Sequence, residues 1–357
     1  MRDHNEQQKF KIDEIPCQEI SDPAVLSKNP LVSVKMITYN HEPYIVQAIE
    51  GVVKQETEYP FELIIGEDCS TDGTREIVFE YQKKYPEIIR VITSDKNVGV
   101  KKNGYRTTNT CRGKYLAFCE GDDYWHHPDK LQKQVDYMES HPECGLVFAD
   151  CDVYYDRSKK FIRSFNSFKG FHSCANLTIK EIIFGGMVKF TCTAMTRREL
   201  YEEVIQRDPY LYQSEELLLG DMQAWAEITL MSEALYFPET LATYRVISES
   251  ASRSKNPQKL YQFYKSASEM KLYLCDKHKL SEHYRKIAES DWCDHSLRLA
   301  FHERNAELAW EVKMRKRTFT WEERLRYLGA KYLVIHYLYR AAVLIPNRFK
   351  KKDIQWP

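Results

Sequence analysis

The sequence predicts an α/β fold with a mostly parallel central sheet flanked by helices, followed by a helical C-terminal extension. Between residues 31 and 119, short apolar runs alternate with segments in which apolar residues recur at helical spacing. Strands that alternate with helices through short connections form parallel sheets covered on both faces. From about residue 255 onward the chain becomes charged, aromatic-rich and helical in pattern. We therefore expect an irregular lead-in (1–30), an α/β domain (31–250) and a helical region (251–357).

Individual elements follow from the local pattern of apolar residues. The predicted strands span 31–37, 61–65, 88–92, 115–119, 144–155 and 234–246. The predicted helices cover about 45–53, 77–85, 100–112, 131–138, 178–186 and 197–206, and one more is opened by Gly220 and Asp221. Asn40 is placed to cap the first of these helices. Residues 190–195 form a short extended piece between two later helices.

Composition and charge exclude several classes of protein. The chain carries 52 Lys and Arg against 52 Asp and Glu, so nothing indicates nucleic acid as a partner. The ten cysteines include no C-x-x-C pair and are interpreted as reduced core residues. The first eleven residues lack an apolar leader segment, and no run of eighteen apolar residues occurs. These features predict a cytoplasmic protein.

Polar residues follow the first two predicted strands at the point where each strand ends. Thr38, Tyr39 and Asn40 come after the first strand, and Glu67 and Asp68 come after the second. Ligands of parallel α/β sheets bind beyond the carboxyl ends of the strands, so both clusters are candidates for a binding site. The Asp68 carboxylate could accept a hydrogen bond from a base N–H or a ribose hydroxyl. A capped turn into the next helix is the alternative interpretation.

A later strand runs directly into Glu120-Gly121-Asp122-Asp123. Carboxylates crowded behind an apolar strand repel one another, and a divalent cation compensates that repulsion. Mg²⁺ or Mn²⁺ takes one or two protein carboxylates and fills its other positions with phosphate and water oxygens. A solvated turn with helix-capping aspartates is the alternative. The position at the ligand edge of the sheet, near Glu67 and Asp68, favours a metal.

Asp221 is the third acidic element and lies at the predicted start of a helix. Taken alone, it is interpreted as a helix N-cap. If the other acidic residues form a site, its carboxylate could instead act as a general base on an acceptor hydroxyl. General base catalysis accelerates a reaction by about 10²–10⁴-fold.

Six segments carry a resemblance to a known family through their order and spacing. They are Val34-Lys-Met-Ile-Thr-Tyr-Asn-His41, Glu67-Asp-Cys-Ser-Thr-Asp-Gly-Thr74, Asn97-Val-Gly99, the run from Gly113 to Trp125, Gly220-Asp221-x3-Trp225 and Tyr244-Arg245. Together they resemble the family 2 glycosyltransferases with the GT-A fold over residues 31–250. The resemblance implies inverting transfer of a sugar from a nucleoside-diphosphate sugar, with uridine as the expected nucleoside. It implies a glycan or lipid-linked glycan as acceptor, Mn²⁺ or Mg²⁺ as cofactor, and a place in bacterial cell-envelope polysaccharide assembly.

The resemblance also implies roles for the acidic residues. Asp122 and Asp123 match aspartates that contact the ribose and the metal, and Glu120 completes the D-x-D element of the family. Glu120 is a departure, because the first residue of that element is usually Asp. Asp221 matches the catalytic base. The predicted metal ligands are therefore Asp123, Asp122 and Glu120.

On the donor side, the residues expected to bind the nucleotide-sugar are Thr38, Tyr39, Asn40, Asp68, Lys101, Asp122 and Arg245. Lys101 and Lys102 lie where relatives often present a basic side chain. Arg245 and the loop 248–253 are expected to cover the diphosphate. Ile247 stands where many relatives have His, so any metal or phosphate contact from that His is missing here.

Two other functions remain open from the residues alone. A nucleotidyltransferase also needs a nucleotide pocket and a metal at acidic strand ends. It usually has a glycine-rich, basic phosphate loop after the first strand, which Thr38-Tyr39-Asn40-His41 does not provide. A catalytically silent nucleotide-sugar-binding scaffold would be expected to lose the acidic residues that this chain retains.

The C-terminal segment is basic although the whole chain is neutral. Residues 313–357 contain 12 Lys and Arg against 3 Asp and Glu. The run 332–345 is apolar but interrupted by His336 and Arg340, and it is too short and too polar to span a bilayer. The segment either docks on the protein or lies on an anionic membrane through its end at Lys350-Lys351-Lys352. The second possibility predicts peripheral attachment to the inner face of the cytoplasmic membrane.

Overall fold

The computed structural model describes residues 14–214, 216–247 and 253–341, which hold eleven strands in one sheet and fourteen α-helices. The strands are β1 (Gln18–Ile20), β2 (Val32–Thr38), β3 (Phe61–Glu67), β4 (Ile89–Thr93), β5 (Tyr115–Phe118), β6 (Tyr124–Trp125), β7 (Cys144–Tyr155), β8 (Lys160–Ile162), β9 (Ala175–Asn176), β10 (Met195–Arg197) and β11 (Glu233–Val246).

The helices of the α/β part are α1 (Ile45–Val53), α2 (Thr74–Lys84), α3 (Val100–Asn109), α4 (Lys130–Ser140), α5 (Phe165–Phe168), α6 (Ile179–Phe184), α7 (Arg198–Arg207), α8 (Pro209–Gln213) and α9 (Met222–Ile228). The C-terminal helices are α10 (Pro257–Lys277), α11 (Glu282–Glu303), α12 (Ala306–Arg315), α13 (Trp321–Lys331) and α14 (Leu333–Tyr339).

The sheet has the order β1-β4-β3-β2-β5-β10-β7-β11-β6, with β8 beside β7 and β9 beside β11. The four strands β4, β3, β2 and β5 are parallel to one another, as are β7 and β11. The short strand β10 runs antiparallel between β5 and β7 and joins the two parallel parts. The predicted α/β fold is confirmed, with a sheet that is mixed because of β10 and the antiparallel edge strands.

Burial explains why the strands and helices pack as they do. In β2, Val32, Val34 and Met36 alternate onto one face of the sheet and are completely buried. Helix α1 covers that face with apolar residues at helical spacing, among them Ile45 and Ile49, which are also completely buried. Each such side chain contributes about 1.5–3 kcal/mol of burial free energy. The alternating apolar residues of β2 and the helically spaced apolar residues of α1 therefore pack together in one core.

Two predictions about local structure were wrong. The lead-in is not wholly irregular, because Gln18–Ile20 pairs antiparallel with β4 at the edge of the sheet. A strand of three residues is too short to show a period in the sequence. The piece 190–195 is not simply extended, since Thr191–Thr193 forms a 3₁₀ turn before β10 begins.

The chain divides into two compact units by its internal contacts. Among the described residues, one unit contains 14–214 together with Gly220–Ile247, and the other contains 216–219 and 253–341. The second unit has its own apolar core, formed by Trp292, Leu297, Ala300, Val312 and their neighbours. In the described part of the chain, no helix combines the length and the apolar character needed to cross a membrane.

The predicted amphipathic run near the C-terminus is described only as far as residue 341. His336 is buried and stacks on Phe301, with 4.4 Å between ring centroids, whereas Arg340 is exposed. The basic triplet Lys350-Lys351-Lys352 lies outside the described residues.

Candidate active site

The carboxyl ends of three parallel strands lie side by side. Thr38 at the end of β2 is opposite Glu67 at the end of β3. Just beyond the strands, the N–H of Asp68 donates to the carbonyl of Thr38 (3.1 Å), and the N–H of Gly121 donates to the carbonyl of Ile37 (3.1 Å). These bonds gather the segments after β2, β3 and β5 at one edge of the sheet, as predicted.

Gly121 permits the close approach of two of these segments. A Cβ at this position would lie 2.6 Å from Thr38 Oγ1 and 2.9 Å from His41 Nδ1. Any larger residue would push the acidic turn away from the end of β2. The glycine in Glu120-Gly-Asp-Asp is therefore required by packing.

Glu67 is completely buried, and the protein itself uses its carboxylate. The backbone N–H groups of Cys69 (3.2 Å) and Ser70 (2.6 Å) donate to it, and Thr93 Oγ1 donates from β4 (2.9 Å). Arg75 adds a charge at 3.6 Å. These contacts fix the turn after β3, which gives Glu67 a structural role.

Asp68 is also held by backbone donors. Its two oxygens accept the N–H groups of Val98 (2.8 Å) and Gly99 (2.9 Å), and Arg106 Nη2 lies 3.4 Å from Oδ1. Burial raises the pKa of Asp68, while these contacts work in the opposite direction. The segment Asn97-Val-Gly99 thus has a physical role, which is to orient this carboxylate. Oδ2 keeps a lone pair for a ligand donor.

The loop after β2 is clamped against the turn after β3. Asn40 has a φ of +55°, its Oδ1 accepts the N–H of Thr71 (2.8 Å), and its own N–H donates to Ser70 Oγ (3.1 Å). The prediction that Asn40 caps α1 was wrong, since the residue before that helix is Tyr44. Tyr39, next to this clamp, is 43% exposed at the ligand edge.

The carboxylates after β5 lie in a different environment. Asp123 Oδ1 accepts the N–H of Arg245 (2.8 Å), whereas Glu120 Oε2 is buried and has no hydrogen-bond partner among the described residues. Burial, followed by the charges of Asp122 and Asp221, raises the pKa of Glu120 to about 8. Burial likewise raises the pKa of Asp123 well above its usual range. Ionisation of the carboxyl groups in this cluster is therefore disfavoured in the described structure.

The donor set fits a divalent cation that takes most of its ligands from elsewhere. No group of three or more His, Cys, Asp or Glu side chains is arranged as a ready-made metal cage within the described ranges. Mg²⁺ and Mn²⁺ sites that also bind phosphates need only one or two protein carboxylates. The unpartnered Glu120 oxygen and the raised pKa values of Glu120 and Asp123 are features that a cation would relieve.

Asp221 precedes α9, and its carboxylate is held at both oxygens. The N–H of Met222 donates to Oδ1 (2.7 Å), and Thr191 Oγ1 donates to Oδ2. The helix is anchored by Trp225, whose ring lies 5.1 Å from that of Phe118 in β5. The N-cap interpretation of Asp221 is confirmed, and the same contacts orient its carboxylate.

Arg245 ties the acidic turn to α1. Its Nε donates to the carbonyl of Asp122 (2.8 Å), and its Nη2 donates to Gln47 Oε1 (2.7 Å). The guanidinium lies 4.8 Å from the ring of Tyr44 and 5.2 Å from the ring of Tyr124. Arg245 is therefore a buried organiser of the turn that carries Asp122 and Asp123.

The structure describes only some of the remaining residues that were predicted to bind the donor. Lys101 lies on α3 and donates through Nζ to the carbonyl of Ser214 (2.5 Å). Residues 248–252 of the loop that was expected over the diphosphate lie outside the described residues.

Sequence reasoning missed three residues of this region. Arg106 binds the carbonyl of Glu67 and the Asp68 carboxylate from α3, and Thr191 contacts Asp221. Lys35 of β2 lies within electrostatic reach of Glu120 and Asp221. Only Lys35 carried a signal in the sequence, as a charged residue inside an apolar strand.

Comparison with known proteins identifies the family. The family model described as Glycosyl transferase family 2 matches residues 33–205. The chain is 30% identical to the putative teichuronic acid biosynthesis glycosyltransferase TuaG of Bacillus subtilis over 63% of this chain and 83% of TuaG. It is 34% identical to the uncharacterized protein Rv1520 of Mycobacterium tuberculosis over 60% of this chain, and it spans 58% of that relative's length. This chain belongs to glycosyltransferase family 2.

Two solved structures share the fold at low sequence identity. The TarS fragment 1–349 of S. aureus, in complex with UDP-GlcNAc, has a TM-score of 0.52 and 18% identity, covering 84% of this chain and 79% of that one. The mannosyltransferase PcManGT of Pyrobaculum calidifontis, in complex with GDP-Man and Mn²⁺, has a TM-score of 0.51 and 15% identity, covering 96% and 92%. The GT-A-like fold expected from the sequence is thereby confirmed.

Proposed function

We propose that this chain transfers a sugar from a nucleoside-diphosphate sugar to a hydroxyl of a glycan or lipid-linked glycan, with inversion at the anomeric carbon. Family membership supports the reaction class. The packing of α9 carries the proposal further: the ring of Trp225 lies 5.1 Å from that of Phe118 at the end of β5, and the charges of Asp122 and Asp221 both raise the pKa of Glu120. The acidic turn after β5 and the start of α9 therefore face a common space. Donor diphosphate and acceptor hydroxyl must meet in such a space.

Asp221 is assigned as the general base. Met222 and Thr191 each hold one of its oxygens, so the carboxylate has a fixed direction and keeps lone pairs for the acceptor hydroxyl. When the hydroxyl oxygen attacks the anomeric carbon, its proton passes to Asp221 and the bond to the diphosphate oxygen breaks. A single displacement of this kind inverts the configuration.

Asp122 and Asp123, with Glu120 beside them, are assigned to the cation. A bound Mn²⁺ or Mg²⁺ would supply the positive charge that stabilises the departing diphosphate. Arg245 keeps this turn in place, because its backbone N–H donates to the Asp123 carboxylate and its Nε donates to the backbone carbonyl of Asp122. The Mn²⁺ in the PcManGT complex supports this assignment by analogy.

The nucleoside is assigned to the strand ends of β2 and β3. Tyr39 offers an exposed ring for the base, and the oriented Asp68 carboxylate offers an acceptor. Thr38 and Asn40 shape the loop between them, and Lys101 borders the site from α3. TarS was solved with UDP-GlcNAc and PcManGT with GDP-Man. The donor panel for this chain should therefore contain both uridine and guanosine diphosphate sugars.

The matching experiment uses Asp221→Asn. Donor binding, followed as thermal stabilisation by nucleoside-diphosphate sugars with Mn²⁺, is expected to persist, while transfer falls by about 10²–10⁴-fold. Asp208→Asn is the control, because Asp208 also caps a helix through its side chain. Wild-type turnover in Asp221→Asn would show that Asp221 is not the general base.

Two rival functions are separated by their products. A glycosyltransferase releases a free nucleoside diphosphate, whereas a nucleotidyltransferase makes or consumes pyrophosphate. A silent scaffold protein would be stabilised by the nucleotide-sugar and release neither. Product analysis of the wild-type protein with a donor panel therefore decides among the three.

A second proposal concerns the membrane. The exposed side of α14 carries Leu333, Val334, Tyr337 and Leu338, with exposed fractions of 43%, 69%, 61% and 64%. Exposed Lys331 and Arg340 flank this apolar face. A helix surface with apolar residues between basic ones suits an anionic lipid interface. We therefore propose peripheral attachment at the inner face of the cytoplasmic membrane, consistent with a lipid-linked acceptor and with cell-envelope polysaccharide assembly.

Sedimentation with phosphatidylglycerol vesicles tests the attachment. Wild-type protein is expected to sediment with these vesicles and to be released by salt, while the double variant V334D/L338D stays in the supernatant. Leu230→Asp is the control, because Leu230 is 49% exposed in the other unit. Equal binding of V334D/L338D and wild type would end this proposal.

A further inference from the structure

Lys35 occupies an unusual position in the sheet. It lies in the middle of β2, with Ile64 of β3 on one side and Phe118 of β5 on the other. Val34 and Met36 next to it are completely buried on the opposite face, whereas Lys35 and Ile37 are partly exposed. The face of β2 that carries Lys35 is therefore mostly covered, and Lys35 lies just below the ligand edge with its side chain only partly exposed.

The surroundings of the Lys35 ammonium are aromatic and acidic. Its Nζ lies 5.8 Å from the ring of Phe118 and 5.8 Å from that of Tyr201. Glu120 and Asp221 act on it electrostatically, yet within the described residues it makes no hydrogen bond and no salt bridge. A partly buried ammonium without a bonded partner is destabilising, and such a position is usually compensated by a ligand or a counter-ion.

Lys130 shows what a structural buried lysine looks like in the same unit. It is completely buried, its Nζ donates to Gln134 Oε1 at 2.7 Å, and it lies 4.0 Å from the ring of Trp125. The protein thus provides a partner for Lys130. Among the described residues Lys35 has no such partner, although Glu120 and Asp221 act on it electrostatically.

Gly104 of α3 borders the space beside Lys35. A Cβ added at Gly104 would meet only one atom within 4 Å, the Lys35 Nζ at 3.6 Å. Room for a further oxygen therefore remains next to the ammonium. A sugar hydroxyl fits the chemistry, since it accepts a hydrogen bond from Lys35 and donates one to Glu120 or Asp221.

We propose that Lys35 is a substrate-contacting, specificity-determining residue whose ammonium donates a hydrogen bond to an oxygen of a sugar bound between Glu120 and Asp221. This inference rests on the proposed function. The sugar is either the one transferred or the one that accepts it, and both present the same hydroxyl chemistry. Loss of one hydrogen bond from a charged donor weakens binding by about tenfold or more.

The test compares Lys35→Met with Lys130→Met in the full chain. Lys35→Met is expected to keep or raise the midpoint of thermal unfolding, because it removes an unpaired cation and keeps the length of the side chain. It should lower kcat/KM at least tenfold for one sugar substrate. Lys130→Met is expected to lower the unfolding midpoint and to leave the kinetic constants of the folded protein within about twofold of wild type.

Kinetics with the donor and with the acceptor show which of the two sugars Lys35 contacts. If Lys35 contacts the transferred sugar, Lys35→Met raises the donor KM and slows hydrolysis of the donor without acceptor. If it contacts the acceptor, donor hydrolysis is unchanged and the acceptor KM rises. Kinetic constants within twofold of wild type in both arms overturn the inference. Should Lys35→Met fail to fold, Gly104→Val decides, because it fills the space beside the ammonium and must raise one of the two KM values.

Failure of the proposed function would be recognised separately. A wild-type protein that transfers no sugar from any donor contradicts the proposed function. In that case the difference in thermal stabilisation between a nucleotide-sugar and the bare nucleotide still reports on Lys35. A difference that is the same in wild type and Lys35→Met overturns a contact to the transferred sugar, and an equal stabilisation of both proteins by candidate acceptor glycans overturns a contact to the acceptor.

Discussion

The two acidic strand ends look alike in the sequence and differ in the folded protein. After β3, the Glu67 carboxylate receives two backbone N–H groups and a hydroxyl, and Asp68 receives two more N–H groups. After β5, one oxygen of Asp123 receives an N–H, while Glu120 Oε2 has no partner among the described residues. The protein's own donors satisfy the carboxylates after β3, whereas ionisation of Glu120 and Asp123 after β5 is disfavoured.

This difference separates carboxylates that stabilise the fold from carboxylates that are available for chemistry. A carboxylate such as that of Glu67, which the protein saturates with its own donors, fixes the shape of a loop, and its removal should cost stability. Carboxylates that the protein leaves crowded are destabilising until a cation or substrate arrives, and their removal should cost function. The two ends therefore predict opposite outcomes for the same isosteric substitution.

The largest effect is expected for Asp123→Asn. The amide oxygen can still accept the N–H of Arg245, so the turn is retained, but the negative charge for a cation is gone. Transfer should fall by about 10²–10³-fold, and Mn²⁺-dependent stabilisation by the donor should disappear. Thermal unfolding without metal should be unchanged or shifted upward. A variant that keeps Mn²⁺-dependent transfer would show that the β5 end is not the metal end.

Glu67→Gln is the counterpart at the other strand end. Replacing a completely buried carboxylate that accepts several hydrogen bonds should lower the free energy of unfolding by about 2–3 kcal/mol. The kcat of the folded protein should stay within about threefold of wild type. Urea unfolding and steady-state kinetics on the same preparation measure both quantities. Wild-type stability combined with lost transfer would reverse the roles assigned to the two ends.

The sequence could locate both ends but could not distinguish them. Apolar periodicity placed Thr38, Glu67 and Glu120 after strands, and the parallel pairing of β3, β2 and β5 brings these ends together. The donors that satisfy Asp68 come from Val98, Gly99 and Arg106, 30 or more residues along the chain. Their positions depend on tertiary packing, which a strand-and-helix pattern does not contain.

For some elements the sequence contains no pattern from which the structure could be predicted. Strand β1 is held by pairing with β4 at residues Gln18–Ile20, a stretch too short to show alternation. The contact of Thr191 with Asp221 depends on a 3₁₀ turn that the apolar run around it does not indicate. Family resemblance supplied residue roles that periodicity alone does not, and those roles remain predictions for experiment.

The pH dependence of stability should report on the carboxyl group of Glu120, which follows β5. Burial raises the pKa of Glu120 from an ordinary value of 4.5 to about 8, so the folded metal-free protein holds this proton more tightly than the unfolded chain. The resulting stabilisation is fully present below about pH 4.5 and is lost as the pH rises toward 8. The unfolding midpoint of the wild type should therefore decline across this window, and Glu120→Gln should decline less. Parallel curves would contradict the raised pKa.

Asp221 falls between the two cases, because the protein holds both of its oxygens and yet its charge reaches Glu120. Thr191→Val removes one of these contacts without touching the charge. We expect the smallest effect here, a fall in kcat of about 3–10-fold with an unchanged donor KM, since the base is less well oriented. Thr193→Val is the control, because Thr193 Oγ1 in the same turn donates only to the carbonyl of Phe190 in the described structure. If both variants lower kcat equally, the turn as a whole matters and the Thr191 contact has no separate role in orienting the base.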